Sequence, residues 1–146
     1  MTLPSQFEKE NTQNIFIYHY VEELIANFRK YMDEHFKDET ITRAEFPALL
    51  RIRFRDNTTQ KEIVNLLDVS DGYTAKLLRK FEVNGFITRQ EDPTNRRRKI
   101  VKLTPKGIEK TDEFIRIVDE WEKQVSAKTT HEEMKTLKEI LFKLVI

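Results

Sequence analysis

Between Asn14 and about Lys37 the large apolar residues fall at Ile17, Val21, Leu24, Phe28 and Met32. Steps of three and four draw one stripe along a long amphipathic helix. Asp38, Glu39 and Thr40 interrupt it, and Thr42 with Glu45 has the spacing of a capping box, which predicts a second helix through Phe46, Leu49, Leu50 and Phe54 until Asp56 and Asn57 break it. Thr59 and Glu62 repeat the device ahead of Ile63, Leu66 and Leu67, a short third helix ending at Asp68 and Val69. Ser70 can cap a fourth helix with an inward stripe of Thr74, Leu77, Leu78 and Phe81, closed by Asn84 and Gly85. Two short helices joined by so tight a turn predict a helix-turn-helix unit.

The period then changes. Phe86 to Arg89 and Lys99 to Leu103 suit short strands, and Glu91-Asp92-Pro93-Thr94-Asn95 between them is turn-forming, so a β-hairpin is expected whose tip and return carry Arg96, Arg97, Arg98 and Lys99. Thr104 followed by Pro105 has the order of a helix cap and first helical position, opening a fifth helix to about Ala127. Thr130 with Glu133 opens a sixth, through Met134, Leu137, Ile140, Leu141, Leu144 and Val145. The terminal helices carry more large apolar residues than a small domain readily buries, which points to packing against a second copy; the competing reading packs them all within one monomer.

Composition sharpens this picture. The chain has 146 residues, of which 38% are hydrophobic, enough for one modest core, and its three glycines and four prolines speak against a turn-rich sandwich or barrel. It has no cysteine, which excludes disulfide scaffolds, thiolate metal sites and thiol redox chemistry. The first residues show no basic-then-apolar leader, and no apolar run approaches the roughly 20 residues of a membrane-spanning helix, so a soluble cytoplasmic protein is expected. The net charge of +1 conceals an asymmetry: residues 1–40 carry 4 basic and 8 acidic side chains, residues 41–107 carry 15 and 8, and residues 108–146 carry 7 and 9. A basic middle between acidic ends suggests one segment that meets a polyanion, although charge alone also fits an unevenly charged surface.

Helix, helix, helix-turn-helix and hairpin, in that order, predict a mainly α winged helix. On the fourth helix Asp71, Gly72, Tyr73, Lys76, Arg79 and Lys80 lie off the apolar stripe. The first two turns of such a helix approach base edges, while Lys80 and the amides near Thr59 and Gln60 are placed for phosphates. Three adjacent arginines, Arg96, Arg97 and Arg98, repel one another unless an anion lies among them or they point apart into solvent, and arginine suits a narrow minor groove.

The stretches Glu62 to Ser70, Leu77 to Ile87 and Asp92 to Gly107 resemble the multiple-antibiotic-resistance regulator (MarR) family of winged-helix transcription factors. The match is closest over residues 59–107, and its most specific part is the hairpin followed by Leu103-Thr104-Pro105-Lys106-Gly107. The resemblance implies a single domain over 1–146, with a DNA-binding lobe at 41–107 and a helical dimerisation lobe built from 1–40 and 108–146. It implies a homodimer on palindromic double-stranded DNA, most simply a repressor, with contacts from Ser70, Gly72, Tyr73 and Lys76 and from Arg96 and Arg97 of the wing. The family usually has an aspartate where this chain has Asn95, and an aliphatic residue where it has Thr74, whose hydroxyl needs a partner. The family's small-molecule control suggests an effector pocket lined by Tyr18, His19, Phe46, Arg51 and Phe114, though aromatics at helical spacing are also ordinary core.

Enzyme readings find little to rest on. His19, His35 and His131 are far apart, His131 has no second histidine a turn later, and no glycine-rich phosphate loop exists. Asp33, Glu34, His35 and Asp38 are better read as a solvated helix end than a metal site, and no cofactor is expected. The alternative from another class is a winged helix that docks an acidic protein partner without specific DNA binding.

Overall fold

The computed structural model describes residues 4–55 and 57–146, so Met1 at the head of the polar N-terminus and the expected helix breaker Asp56 lie outside the described residues. The chain divides into two compact units, Met1–Lys37 and Asp38–Ile146.

In the first unit a 3-10 turn, Lys9–Asn14, leads into α1 (Ile17–His35). Phe7 packs edge-on against Tyr20 at 5.5 Å, and the Tyr20 hydroxyl donates to the Thr12 carbonyl at 2.9 Å, which ties the turn to the helix. Ile17, Val21 and Leu24 of the expected stripe are exposed, and Met32 is buried.

The second unit holds α2 (Phe46–Arg53), β1 (Thr58–Thr59), α3 (Gln60–Leu67), α4 (Asp71–Val83), β2 (Ile87–Asp92), β3 (Asn95–Leu103), α5 (Pro105–Val125) and α6 (His131–Val145). The start of α2 differs from expectation. The Thr42 N–H does donate to the Glu45 carboxylate at 2.9 Å, but residues 43–45 form a turn and the helix begins at Phe46. Pro47 explains the delay: a helix opened at Arg43 would place proline in its interior, where it has no N–H to give, whereas here it stands in the first turn.

The boxes at α3 and α6 form as expected. The Thr59 N–H donates to Glu62 at 2.7 Å and the Glu62 N–H to the Thr59 hydroxyl at 3.2 Å, and Thr130 with Glu133 does the same. Asp68 ends α3 in the left-handed region at φ 52°, a conformation aspartate tolerates, and the Ser70 hydroxyl accepts from the Tyr73 N–H to open α4. At the other end Gly85, at φ 78°, lets the Phe86 N–H reach the Phe81 carbonyl and its own N–H reach Glu82, a complete Schellman closure with Phe81 and Phe86 both buried.

The sheet order is β1-β3-β2, all antiparallel. β1 was not expected, since two residues cannot display a strand's alternation. The hairpin is also longer and tighter than predicted. Asp92 accepts from both the N–H and the hydroxyl of Thr94, so Pro93 and Thr94 alone make the turn, and Glu91, Asp92 and Asn95 belong to strands. Ile63 from α3, Leu77, Leu78 and Phe81 from α4, Phe86 just past its closure, Ile87 and Val101 from the sheet, and Phe46, Leu49, Ile52 and Phe114 from α2 and α5 form the core. None of α6 is buried. Among the described residues no helix is long and apolar enough to cross a membrane, and no group of three histidine or carboxylate side chains gathers as a metal site.

Candidate nucleic-acid interface

Local geometry sorts the cations around α4 and the wing into two groups. Arg89 on β2 donates through Nε and Nη2 to both oxygens of Glu82 at 3.1 Å, and through Nη1 to the Gln60 side-chain oxygen at 3.3 Å, so it joins α3, α4 and β2. Lys80 donates to both oxygens of Glu45, at 2.7 and 3.0 Å. Burial would push the Glu45 carboxyl up, but the Lys80 ammonium and the Thr42 N–H outweigh it and hold the carboxyl below its ordinary value. Arg98 lies 3.8 Å from Asp92, whose carboxyl is lowered by the Thr94 hydroxyl and N–H and by that guanidinium.

The second group is open. Arg96 and Arg97 are exposed, and their guanidinium groups meet no partner among the described residues. They do not sit on a turn, as expected, but in a strand irregularity: Asp92 faces Asn95 and Glu91 faces Lys99, so residues 96–98 have no opposite number in the ladder. A bulge of this kind bends a strand and turns its side chains away from the sheet. Asn95 stands where an aspartate was expected to hold a wing arginine, and its side-chain oxygen accepts the Arg97 backbone N–H at 3.2 Å instead. The carboxylate beside the wing arginines comes from Asp92.

On α4, Ser70, Gly72, Tyr73 and Lys76 are exposed, with Tyr73 at 46%, while Thr74 on the opposite side is fully buried and its hydroxyl has no hydrogen-bond partner. Two residues expected at phosphates are committed to the frame. The N–H and hydroxyl of Thr59 are closed into the capping box and the residue is 5% exposed, and the charge of Lys80 is met by Glu45. Gln60 is half-buried and its side-chain oxygen accepts from Arg89.

Residues 103–107 form the joint that holds wing and helix together. The Thr104 N–H donates to the Phe86 carbonyl at 3.0 Å, its hydroxyl donates to the Gly85 carbonyl at 2.5 Å and accepts from the Gly107 N–H at 3.0 Å. The Lys106 ammonium reaches the Asn84 carbonyl at 2.8 Å and lies over the Phe86 ring. A Cβ on Gly107 would overlap the Phe86 carbonyl oxygen and come within 2.9 Å of its carbon. Thr104, Lys106 and Gly107 together lock the exit of α4 to the exit of the wing.

The residues expected to line an effector pocket lie in both units. In the first, the Tyr18 hydroxyl donates to Glu22 at 2.7 Å and His19 stands 3.5 Å from the same carboxylate. In the second, Phe46 and Phe114 pack edge to face at 5.4 Å with both rings buried, so they fill core, and Arg51 is exposed.

A helix-turn-helix braced by a three-stranded wing, with its free arginines on the hairpin, is a winged helix-turn-helix. The MarR family model matches residues 41–99. The HTH-type transcriptional regulator BilQ of Clostridium symbiosum is 25% identical over 118 residues, covering 81% of this chain and 82% of that protein. The multiple antibiotic resistance protein MarR of Escherichia coli is 26% identical over 115 residues, 78% of this chain and 80% of that protein. A crystal structure of MarR superposes with a TM-score of 0.77 at 26% identity, covering 96% of this chain and 92% of that one. Residues 41–99 therefore carry a MarR-type winged helix, and the relatives named here are transcriptional regulators.

Proposed function

We propose that this chain acts in the cytoplasm as a homodimeric repressor that binds a two-fold symmetric DNA site. In this reading residues 41–107 form the DNA-binding lobe, and the chain ends, 1–40 and 108–146, supply the dimer contacts. The exposed apolar positions of α6, Leu137, Ile140, Leu141 and Leu144, recur at helical spacing and favour a second copy as their cover. Each α4 enters a major groove, with Ser70, Gly72, Tyr73 and Lys76 near base edges and the Gln60 amide near a phosphate. A small aromatic or anionic effector that changes the distance between the two α4 helices would release the DNA, because both half-sites must be met together.

The observation that carries this reading is the contrast among the wing cations. Arg89 and Arg98 are matched to Glu82 and Asp92, whereas Arg96 and Arg97 stand in a bulge with no acid to meet them among the described residues. Arginines so presented suit phosphates and a narrow minor groove. Replacing both with alanine should weaken binding to every duplex and lower the salt slope by about one per lost phosphate contact. Tyr73→Ala or Lys76→Ala should instead relax base preference. An arginine pair that proves neutral in a folded protein removes the wing from the interface. Salt also separates the acidic-protein alternative, since a module that docks a protein shows no preference for one duplex over another.

A further inference from the structure

A cleft of about 1190 Å³ between the start of α3 and the wing is lined by Gln60, Lys61, Arg97 and Arg98 and by two carboxylates, Glu62, which closes the α3 capping box, and Asp71 in the first turn of α4. A phosphate backbone near this cleft is attracted by the cations and repelled by Asp71. A carboxylate in such a place opposes any approaching duplex unless a cation of the protein, the helix dipole or a donor on the DNA compensates it.

Among the described residues no cation does so. Asp71 is exposed and has no hydrogen bond or ion pair among the described residues, whereas Glu62 in the same cleft is held by the Thr59 N–H, and Glu45, Glu82 and Asp92 elsewhere in the lobe by Lys80, Arg89, and Thr94 with Arg98. The dipole of α4 does favour an acid at its first residue, but it acts equally with and without DNA and so does not answer the repulsion; Ser70 in any case already caps the helix. What remains is a donor on the DNA. In the major groove the bases offer only exocyclic amino groups as donors, and the fitting match for a carboxylate is the 4-amino group of cytosine. The neighbouring Gly72 leaves room for a base edge, since a Cβ there would meet nothing within 4 Å.

We propose that Asp71 is a specificity-determining residue whose carboxylate accepts a hydrogen bond from a cytosine 4-amino group, so that each half-site carries a C·G pair at one fixed position. The proposal rests on the DNA-binding reading above. Its phosphate repulsion also acts as a filter, because Asp71 weakens every duplex that lacks the cytosine.

The test starts from duplexes that the protein selects out of a random pool. Each cytosine of the recovered site is then replaced in turn by 2-pyrimidinone, which lacks the amino group. The native protein should lose about tenfold in affinity at one symmetry-related pair of positions, and Asp71→Ala should bind the native and substituted duplexes equally, within about twofold. Asp71→Ala should also bind random duplex at least as tightly as the native protein does. Asp71→Asn, which keeps the shape and removes the charge, gives the same gain on random duplex and guards against a folding defect. If Asp71→Ala keeps full sensitivity at every cytosine, or the native protein has no sensitive cytosine, the proposal is overturned while DNA binding stands. If the native protein does not separate selected from random duplexes, the DNA-binding reading itself fails and takes the proposal with it.

Discussion

Thr74→Val isolates a single conflict between sequence and fold. Thr74 faces the core on the recognition helix beside Leu77, Leu78 and Phe81, it is 0% exposed, and its hydroxyl has no hydrogen-bond partner. The Ser70 carbonyl, one turn back, is taken by the Thr74 backbone N–H at 3.1 Å. A buried hydroxyl without a partner costs about 1–3 kcal/mol on protein mutational scales. Valine has nearly the same shape and a similar helix propensity, and it replaces the hydroxyl with a methyl in the same space. The expected gain is therefore about 1–2 kcal/mol, which for a domain of this size raises Tm by about 2–8 °C. Thermal and urea unfolding followed by circular dichroism, at matched protomer concentration, measure it. Thr74→Ser, which keeps the hydroxyl and loses the methyl, should lose about 1 kcal/mol. If Thr74→Val instead costs 1 kcal/mol or more, the hydroxyl holds a bond in solution and the reasoning is refuted.

Three other perturbations follow. Gly107→Ala should destabilise the protein by about 2–4 kcal/mol, since its Cβ would meet the Phe86 backbone rather than a side chain that can move; near-normal urea unfolding would show that the joint yields. Burial would raise the Asp38 carboxyl, but hydrogen bonds from Lys110, the Thr40 hydroxyl and the Ile41 and Thr40 N–H groups outweigh it and hold its pKa at about 2, against an ordinary 3.8. Its contribution to stability should thus be complete above about pH 4 and fall away towards pH 2, and Asp38→Asn should flatten that part of the stability profile; an unchanged profile contradicts the assignment. Leu141→Asp on α6 should shift sedimentation from dimer to monomer and abolish preference for a symmetric site, and a dimer that survives excludes this face as the contact.

Much of this architecture was legible because its signals are local. Capping boxes at Thr59 and Thr130, the Ser70 cap and the Asn84-Gly85 closure each rest on hydrogen bonds within six residues, and each forms as its residues require. Elsewhere the sequence was less informative, because local signals competed or a long-range contact decided. Pro47 outranked the box at Thr42, the tight Asp92 turn moved three arginines from a loop into a bulged strand, and β1 exists only because β3 is there to pair with it. The exposed face of α4 was readable from helical spacing, but the pairing of Lys80 with Glu45 spans 35 residues and that of Arg89 with Gln60 spans 29, so no local pattern separates framing cations from free ones. The segment Leu103 to Gly107 stood out as a motif, while its use as the joint between wing and recognition helix became clear only from its hydrogen bonds.

The most direct test of a dimer that reads two half-sites is a binding titration combined with sedimentation stoichiometry, comparing a selected symmetric duplex with a scrambled one. Two chains per duplex, a preference of about 10³ or more for the symmetric site, and a loss of about 10³ or more in affinity between 50 and 200 mM salt are predicted. One chain per duplex, equal affinity for both duplexes, or binding indifferent to salt would contradict the account.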